Sequence, residues 1–320
     1  MKAFITGIAG QDGSYLSEYL LEMGYEVHGM IRRQSTPENQ ESRIAHLESK
    51  IKTYYGDVKD RSSIDRILKE VQPDIIYNLA AQSHVRISFD IPQETFQTNA
   101  VGVLNMLEAY RGICPNARFY QASSSEMFGN SVDADGYQRI TTPMHPVSPY
   151  GIAKLAAYNF VSHYRNAYKL HAVNGILFNH ESERRASNFV TNKICKAAVM
   201  ISNGLQKELA LGNLDSFRDW GHSYDYVRAI HKIVTNDKAE DFVVATGMTF
   251  SVRQLCYIVF DKLGLDYSKH IKQDEKFIRP EELKYLRGDS KPIREKFGWH
   301  PQYTFESMIE EMIEYWKDRI

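Results

Sequence analysis

The stretch Lys2-Ala3-Phe4-Ile5-Thr6-Gly7-Ile8-Ala9-Gly10-Gln11-Asp12-Gly13 decides the fold. An apolar, strand-like run ends in three glycines, and a helical pattern follows over residues 14–23, with Tyr15, Leu16, Tyr19, Leu20 and Met23 on one face. A strand that turns sharply through glycine into a helix leaves the helix's first N–H groups pointing at whatever sits above the turn. Glycine also lets the backbone come close to a pyrophosphate. The spacing is G-x-x-G-x-x-G, and glycines alone would mark only a flexible turn. Their position between strand and helix, at the head of a βαβ series, is what points to a dinucleotide. Gly7, Gly10, Gln11, Asp12 and Gly13 are therefore cofactor-binding candidates.

Outward from this turn the same alternation repeats. Strand patterns stand at residues 25–32, 52–55, 74–79, 117–122 and 171–178, with helical patterns at 61–70, 94–111 and 150–168 between them. This predicts an α/β fold, a Rossmann-type doubly wound parallel sheet. Beyond residue 178 the helical patterns at 189–203, 224–234, 252–263 and 304–317 are separated by long polar connections, which predicts a smaller mixed α/β substrate domain. The expected division is residues 1–178 for the dinucleotide, with about 213–246 packing back onto it, and 179–320 mainly for substrate.

The 320 residues carry 39 basic and 40 acidic side chains, a net charge of -1. Binding nucleic acid needs a cationic surplus, so that class is excluded, and any bound anion must be small. No apolar stretch is long enough to span a membrane, and the apolar run at Met1–Gly7 is too short for a signal peptide. The three cysteines, Cys114, Cys195 and Cys256, are widely spaced and form no C-x-x-C pair. That composition fits a reducing cytoplasm and offers no metal-ligand set.

Cofactor choice is written at the end of the second strand. An NAD site usually places an acid there for the ribose 2′-hydroxyl. Here Arg32 and Arg33 stand in that place, with no acid until Glu38. Guanidinium groups bind a 2′-phosphate through charge-assisted bonds, so NADP is the expected cofactor. Asp57 and Val58, after the third strand, are candidates for the adenine edge.

Tyr150 and Lys154 form a Y-x-x-x-K pair in a helical stretch entered through Ser148-Pro149. Residues four apart share a helix face, and an ammonium beside a phenol makes a usable base. Ser123-Ser124-Ser125-Glu126 closes the fifth strand, at the edge where ligands bind in such sheets. A serine there can hold a reacting hydroxyl, and Glu126 supplies a second base.

The glycine loop, the serine–glutamate segment and the Tyr-Lys pair together resemble the extended short-chain dehydrogenase/reductase family, and within it the GDP-mannose 4,6-dehydratases. The segments Gly10–Leu16, Asn174–Ser182, 212–215 with 218–222, and Arg279-Pro280-Glu281-Glu282 with Gly288-Asp289 carry that similarity. The resemblance implies a lyase with an internal NADP redox cycle. Tyr150 would take the 4-hydroxyl proton of a GDP-sugar, Glu126 the proton on carbon 5, and Glu126 or Ser125 would protonate the departing water. Ser124 stands where the family commonly has threonine, which keeps the hydroxyl. The resemblance also assigns Leu79, Ala80, Ala81, Ser83, Tyr150, Lys154, His180 and Arg185 to the cofactor. Ser83, Ser124, Glu126, Asn179, Val190, Lys193, Gly212, Arg218, Arg279 and Glu282 fall to the nucleotide-sugar.

Three departures lie on what this reading takes as the substrate side: Val147 for arginine, Glu183 and Ala186 for proline and glycine, and a shorter stretch between Leu263 and Arg279. They leave a GDP-activated heptose of manno configuration as an alternative substrate. A related epimerase or reductase stays open as a second activity, against which Glu126 argues, and a non-catalytic NADP sensor as a third, which would have no use for Ser124, Glu126, Tyr150 and Lys154 at catalytic spacing. The resemblance further implies a homodimer or homotetramer, with the polar segment 32–43 reaching a neighbour and Arg43 touching the neighbour's NADP phosphates.

Overall fold

The computed structural model describes residues 1–33 and 42–320. Six strands, β1 (Lys2–Thr6), β2 (Glu26–Ile31), β3 (Ile51–Tyr55), β4 (Ile75–Asn78), β5 (Arg118–Ser124) and β6 (Ala172–Leu177), pair in parallel. A seventh, Phe242–Val244, pairs beside β6, so the spatial order is seventh, β6, β5, β4, β1, β2, β3. Every residue of β4 and of β6 is buried, as helices on both faces require. The period of two sorts the side chains. Ala3 and Ile5 join one core with Leu16, Leu20, Val227 and Ile230, while Phe4 joins the other with Ile64, Leu68, Met106 and Val161. The helices Gln11–Glu22 and Ser223–Thr235 cover the first face, and Arg61–Val71, Gly102–Ile113 and Pro149–Tyr168 the second.

Strand order reverses between β1 and β4, which opens a crevice at their carboxyl ends. A second layer overlies that end. Its core joins the helices Val190–Ser202, Val252–Asp261 and Phe305–Lys317 around Trp220, Leu255 and Met308. Three short strand pairs brace it: Asn179–Glu181 with Trp220–His222, Phe217–Arg218 with Phe250–Ser251, and Leu209–Leu211 with Ile271–Gln273. None of the described helices is long and apolar enough to cross a membrane.

Two elements differ from the sequence expectation in ways that shape the site. The first helix starts at Gln11, inside the glycine stretch, because Gly10 already serves as its N-cap. The pattern over 94–111 is broken into Pro92–Phe96, a π-turn at Gln97–Val101, and Gly102–Ile113. A π-turn rotates the residues it contains. Asn99, inside it, bonds both the N–H of Gln82 (2.8 Å) and its carbonyl (2.9 Å), fixing the chain that leaves β4.

Candidate active site

No side chain caps the helix Gln11–Glu22, so its first N–H groups are left for a ligand. A Cβ on Gly13 would lie 2.4 Å from the Gly7 carbonyl oxygen and 2.6 Å from Ile8 Cα, so only glycine lets this helix rest on the turn. The side chains of Gln11 and Asp12 turn inward instead. Gln11 donates to the His180 carbonyl (3.1 Å) and accepts from Ser182 (2.9 Å). Asp12 meets His180 Nε2 at 2.8 Å, while His180 Nδ1 meets the Phe178 carbonyl at 2.7 Å. Burial would raise the Asp12 carboxyl, but His180 and Arg185 outweigh it and hold it low; burial would lower His180, and Asp12 outweighs that. The glycine loop is thus riveted to the strand Asn179–Glu181 by charge.

The helix Pro149–Tyr168 begins with Ser148 accepting the Gly151 N–H at 3.0 Å and Pro149 in its first turn. It lies close against the segment that ends β5. A Cβ on Gly151 would stand 2.8 Å from the Glu126 carbonyl oxygen. That approach brings the Tyr150 hydroxyl into hydrogen bonding with Ser124, whose Oγ also accepts the Glu126 N–H at 3.2 Å. Burial pushes Tyr150 up to about 12, with Ser124 pulling down and Glu126 pushing up. Lys154 is fully enclosed and donates to the Ala122 carbonyl at 2.8 Å; burial brings its ammonium down to about 8 against the pull of Asp12. Its Nζ stands 5.7 Å from the centre of the Tyr150 ring.

These groups line one cavity of about 850 Å³. Along its walls stand Asp12, Leu79, Ala81, Ser83, His180 and Arg185 toward the glycine loop, and Ser124, Ser125, Glu126, Tyr150 and Lys154 in the middle. Asn179, Val190, Lys193, Gly212, Arg218, Arg279 and Glu282 continue the wall into the second layer. Arg218 is buried and donates to the carbonyls of Phe217 (2.8 Å) and Leu283 (3.0 Å); burial, then Arg279, brings it down to about 10. Glu282 accepts the Arg279 N–H at 2.9 Å. Lys193 donates to the Ala210 carbonyl (2.8 Å) with its Nζ 4.0 Å from the Phe277 ring centre. Arg185 pairs with Glu181 at 3.0 Å and lies over the Phe189 ring.

Gly7, Gly10, Gly13, Arg32, Arg33, Asp57, Val58, Ala80 and the buried Gln11 lie outside this cavity, most of them at the neighbouring carboxyl ends of β1 to β4. Arg32 and Arg33 directly follow β2. The Val58 side chain is buried against Gly102, and its carbonyl accepts from Asn105 at 3.0 Å. His84, Phe189 and Phe277 line the cavity without having been singled out in the sequence. His84 caps a four-residue helix, Val85–Ser88, and packs against Phe189 at 5.1 Å, a contact between segments about a hundred residues apart that no local pattern reveals.

One expectation is corrected. Val147, Glu183 and Ala186 do not line the cavity; Glu183 instead accepts from the Tyr15 hydroxyl at 2.5 Å, behind the glycine-loop helix. Arg43 lies against its own chain, with Nε on the Arg184 carbonyl (2.7 Å) and NH1 near the Ala9 carbonyl (3.5 Å). Most of the segment expected to reach a neighbour, residues 34–41, lies outside the described residues. Glu183, His222 and Glu311 sit close enough together to suggest a cation. His222 Nδ1 accepts the Tyr224 N–H (3.1 Å), which places the ring proton on Nε2, facing Glu311 at 3.3 Å. With no imidazole lone pair directed toward the two carboxylates, His222 serves the trio as a hydrogen-bond donor.

The family model described as GDP-mannose 4,6 dehydratase matches residues 4–312. The chain is 46% identical to GDP-mannose 4,6 dehydratase 1 of Arabidopsis thaliana, over 98% of this chain and 88% of that protein. It is 44% identical to the human GDP-mannose 4,6 dehydratase, over 97% and 90%. Among solved structures it is similar to Pal from Bacillus thuringiensis (TM-score 0.89, 21% identity, all of both chains). RMD from Pseudomonas aeruginosa, complexed with NADPH, superposes with a TM-score of 0.82 at 23% identity over 99% of each chain. At these identities the structural likeness speaks for the fold alone.

Proposed function

Because the chain belongs to the GDP-mannose 4,6-dehydratase family, we propose that it converts a GDP-sugar, GDP-mannose, to its 4-keto-6-deoxy form with loss of water. The observation that carries this reading is Glu126. A carboxylate lies beside a Ser-Tyr-Lys set, and oxidation or epimerisation at carbon 4 alone has no use for a second base. The elimination of water across carbons 5 and 6 does.

The chain fits a nicotinamide dinucleotide: the glycine turn, on which Gly13 lets the helix sit closely, and the uncapped helix start at Gly10 suit its pyrophosphate. When bound, it would supply a hydride acceptor at sugar carbon 4 and a donor at carbon 6. Arg32 and Arg33 favour NADP through the 2′-phosphate, with Asp57 and the Val58 backbone toward the adenine. Gly7 and the backbones of Leu79, Ala80 and Ala81 would flank the dinucleotide. Ser83, His180 and Arg185 complete its wall.

Tyr150 takes the proton from the 4-hydroxyl, whose oxygen Ser124 holds. Lys154, an ammonium beside a buried phenol, favours the phenolate that this requires. The 4-ketone acidifies carbon 5, and Glu126 removes that proton. The 6-hydroxyl leaves as water with a proton from Glu126 or Ser125. Arg218, Arg279 and Lys193 present cations to the diphosphate, and Glu282, Asn179, Val190 and Gly212 shape the nucleotide end. We read residues 1–178, with about 213–246, as the cofactor half and the rest as mainly the substrate half. Since Val147, Glu183 and Ala186 stand off the cavity wall, the hexose is favoured over a heptose.

Mass spectrometry of products from GDP-, dTDP- and UDP-hexoses and a GDP-heptose tests this. A product one water lighter from GDP-mannose is expected; no lighter product from any of them refutes the dehydratase.

Exposed apolar side chains at Ile87, Ile91, Phe96 and Ile152 gather where the helices Val85–Ser88 and Pro92–Phe96 pack on Pro149–Tyr168. They support assembly as a homodimer or homotetramer, and the three free cysteines support a reducing cytoplasm.

A further inference from the structure

One arginine in this cavity serves two masters. Arg279 NH1 lies 3.3 Å from Glu126 Oε1, while Glu126 Oε2 is buried and has no hydrogen-bond partner. A carboxylate enclosed in this way needs an opposite charge close by. Arg279 supplies it, so its guanidinium is engaged with the reacting end of the cavity.

We propose that Arg279 is a latch on Glu126 that the substrate's diphosphate opens, an inference that rests on the GDP-sugar reading above and concerns how that site is switched on. Arg279 and Arg218 line the same cavity as Glu126. A nucleoside diphosphate carries more negative charge than one carboxylate and offers oxygens that fit the guanidinium fork, so it takes Arg279 from Glu126. The backbone already allows the exchange. Arg279 is anchored through its N–H to Glu282, which leaves the long side chain free to swing while its Cα stays. Once the guanidinium has moved, the Glu126 carboxylate has its charge no longer offset, and it faces the sugar as a proton acceptor only when a diphosphate is in place. Arg279 is thus a positioning residue for the base as well as a phosphate ligand.

The geometry predicts a coupling that plain phosphate binding does not. In the unmodified chain, GDP must first break the Arg279–Glu126 pair, so part of its binding energy is spent there. Glu126→Gln removes the pair and should tighten GDP binding on the order of fivefold, at the lower end of couplings between contacting residues. In an Arg279→Gln background the same Glu126 change should leave GDP affinity unaltered, and Arg279→Lys should restore part of the gain. Isothermal calorimetry with GDP on the four proteins of the cycle and the lysine variants reads this. Equal tightening in both backgrounds would mean simple repulsion between Glu126 and phosphate, and no tightening would mean no latch; either overturns the proposal. Failure of the unmodified chain to bind GDP at all would instead strike the GDP-sugar reading.

Discussion

At the scale of single residues, the proposed mechanism gives Tyr150 and Glu126 separate tasks, and variants should separate them. Tyr150→Phe removes the group proposed to take the 4-hydroxyl proton and should lower turnover at least a hundredfold, to the order that loss of a general base costs. Glu126→Gln should still permit oxidation at carbon 4 while stopping water loss. Rapid quench with deuterium-labelled sugar distinguishes them: label reaches the cofactor in the glutamine variant and not in the phenylalanine one. Lys154 makes a prediction about stability. Burial brings its pKa from 10.5 to about 8, so below pH 8 the fold must enclose a charge that the unfolded chain keeps in water. The unfolded chain binds the extra proton between these values, so stability rises as pH climbs from 8 toward 10.5. The penalty at neutral pH is on the order of 3 kcal/mol. Lys154→Met relieves it, less about 1 kcal/mol for the orphaned Ala122 carbonyl. Urea unfolding at pH 7 should find the inactive methionine variant more stable, with the difference shrinking by pH 10.5.

At the scale of elements, two glycines set how closely a helix meets its neighbour. Gly13→Ala would push a Cβ into the backbone of Gly7 and Ile8, which cannot yield as a side chain would. The helix must shift off the turn, at about 1–3 kcal/mol. Dinucleotide titration by fluorescence should show affinity lost with it. Gly151→Ala acts elsewhere. Its Cβ would press the Glu126 carbonyl and separate Tyr150 from Ser124, so turnover should fall roughly a hundredfold while dinucleotide affinity holds. If both variants bind dinucleotide equally well, the contacts around Gly13 are softer than the geometry implies.

Across the whole molecule, the exposed Ile152 lies on the outer face of the helix whose inner face holds the site. Tyr150 and Lys154 are buried, whereas Ile152, between them, is 51% exposed. A helix repeat of about 3.6 residues turns position 152 away from both. Ile152→Arg should therefore give a folded chain of lower association state by light scattering, with its far-ultraviolet circular dichroism unchanged. An unmodified chain that is monomeric at micromolar concentration, with and without NADP, would end the case for assembly. Arg43 enters here too. Bonded to Arg184 and Ala9 of its own chain, it braces the glycine loop from within.

The sequence alone determined whatever rests on local periodicity and spacing. Six strands of the large sheet, the glycine turn and the Tyr150–Lys154 face were legible because a strand repeats every two residues, a helix every 3.6, and glycine marks the turn between them. The seventh strand, Phe242–Val244, and the short pairs that carry Asn179 and Arg218 were not, since two or three residues hold no period and become strands only by finding a partner. Nor was the break at Gln97–Val101, where the apolar pattern runs on unchanged through a π-turn that the contact with Gln82 accompanies. The sequence named Glu126 and Arg279 but not their meeting, 153 positions apart. Contacts between distant segments depend on how the layers pack, and packing is a property of the whole surface that each element presents, which no window of neighbouring residues contains.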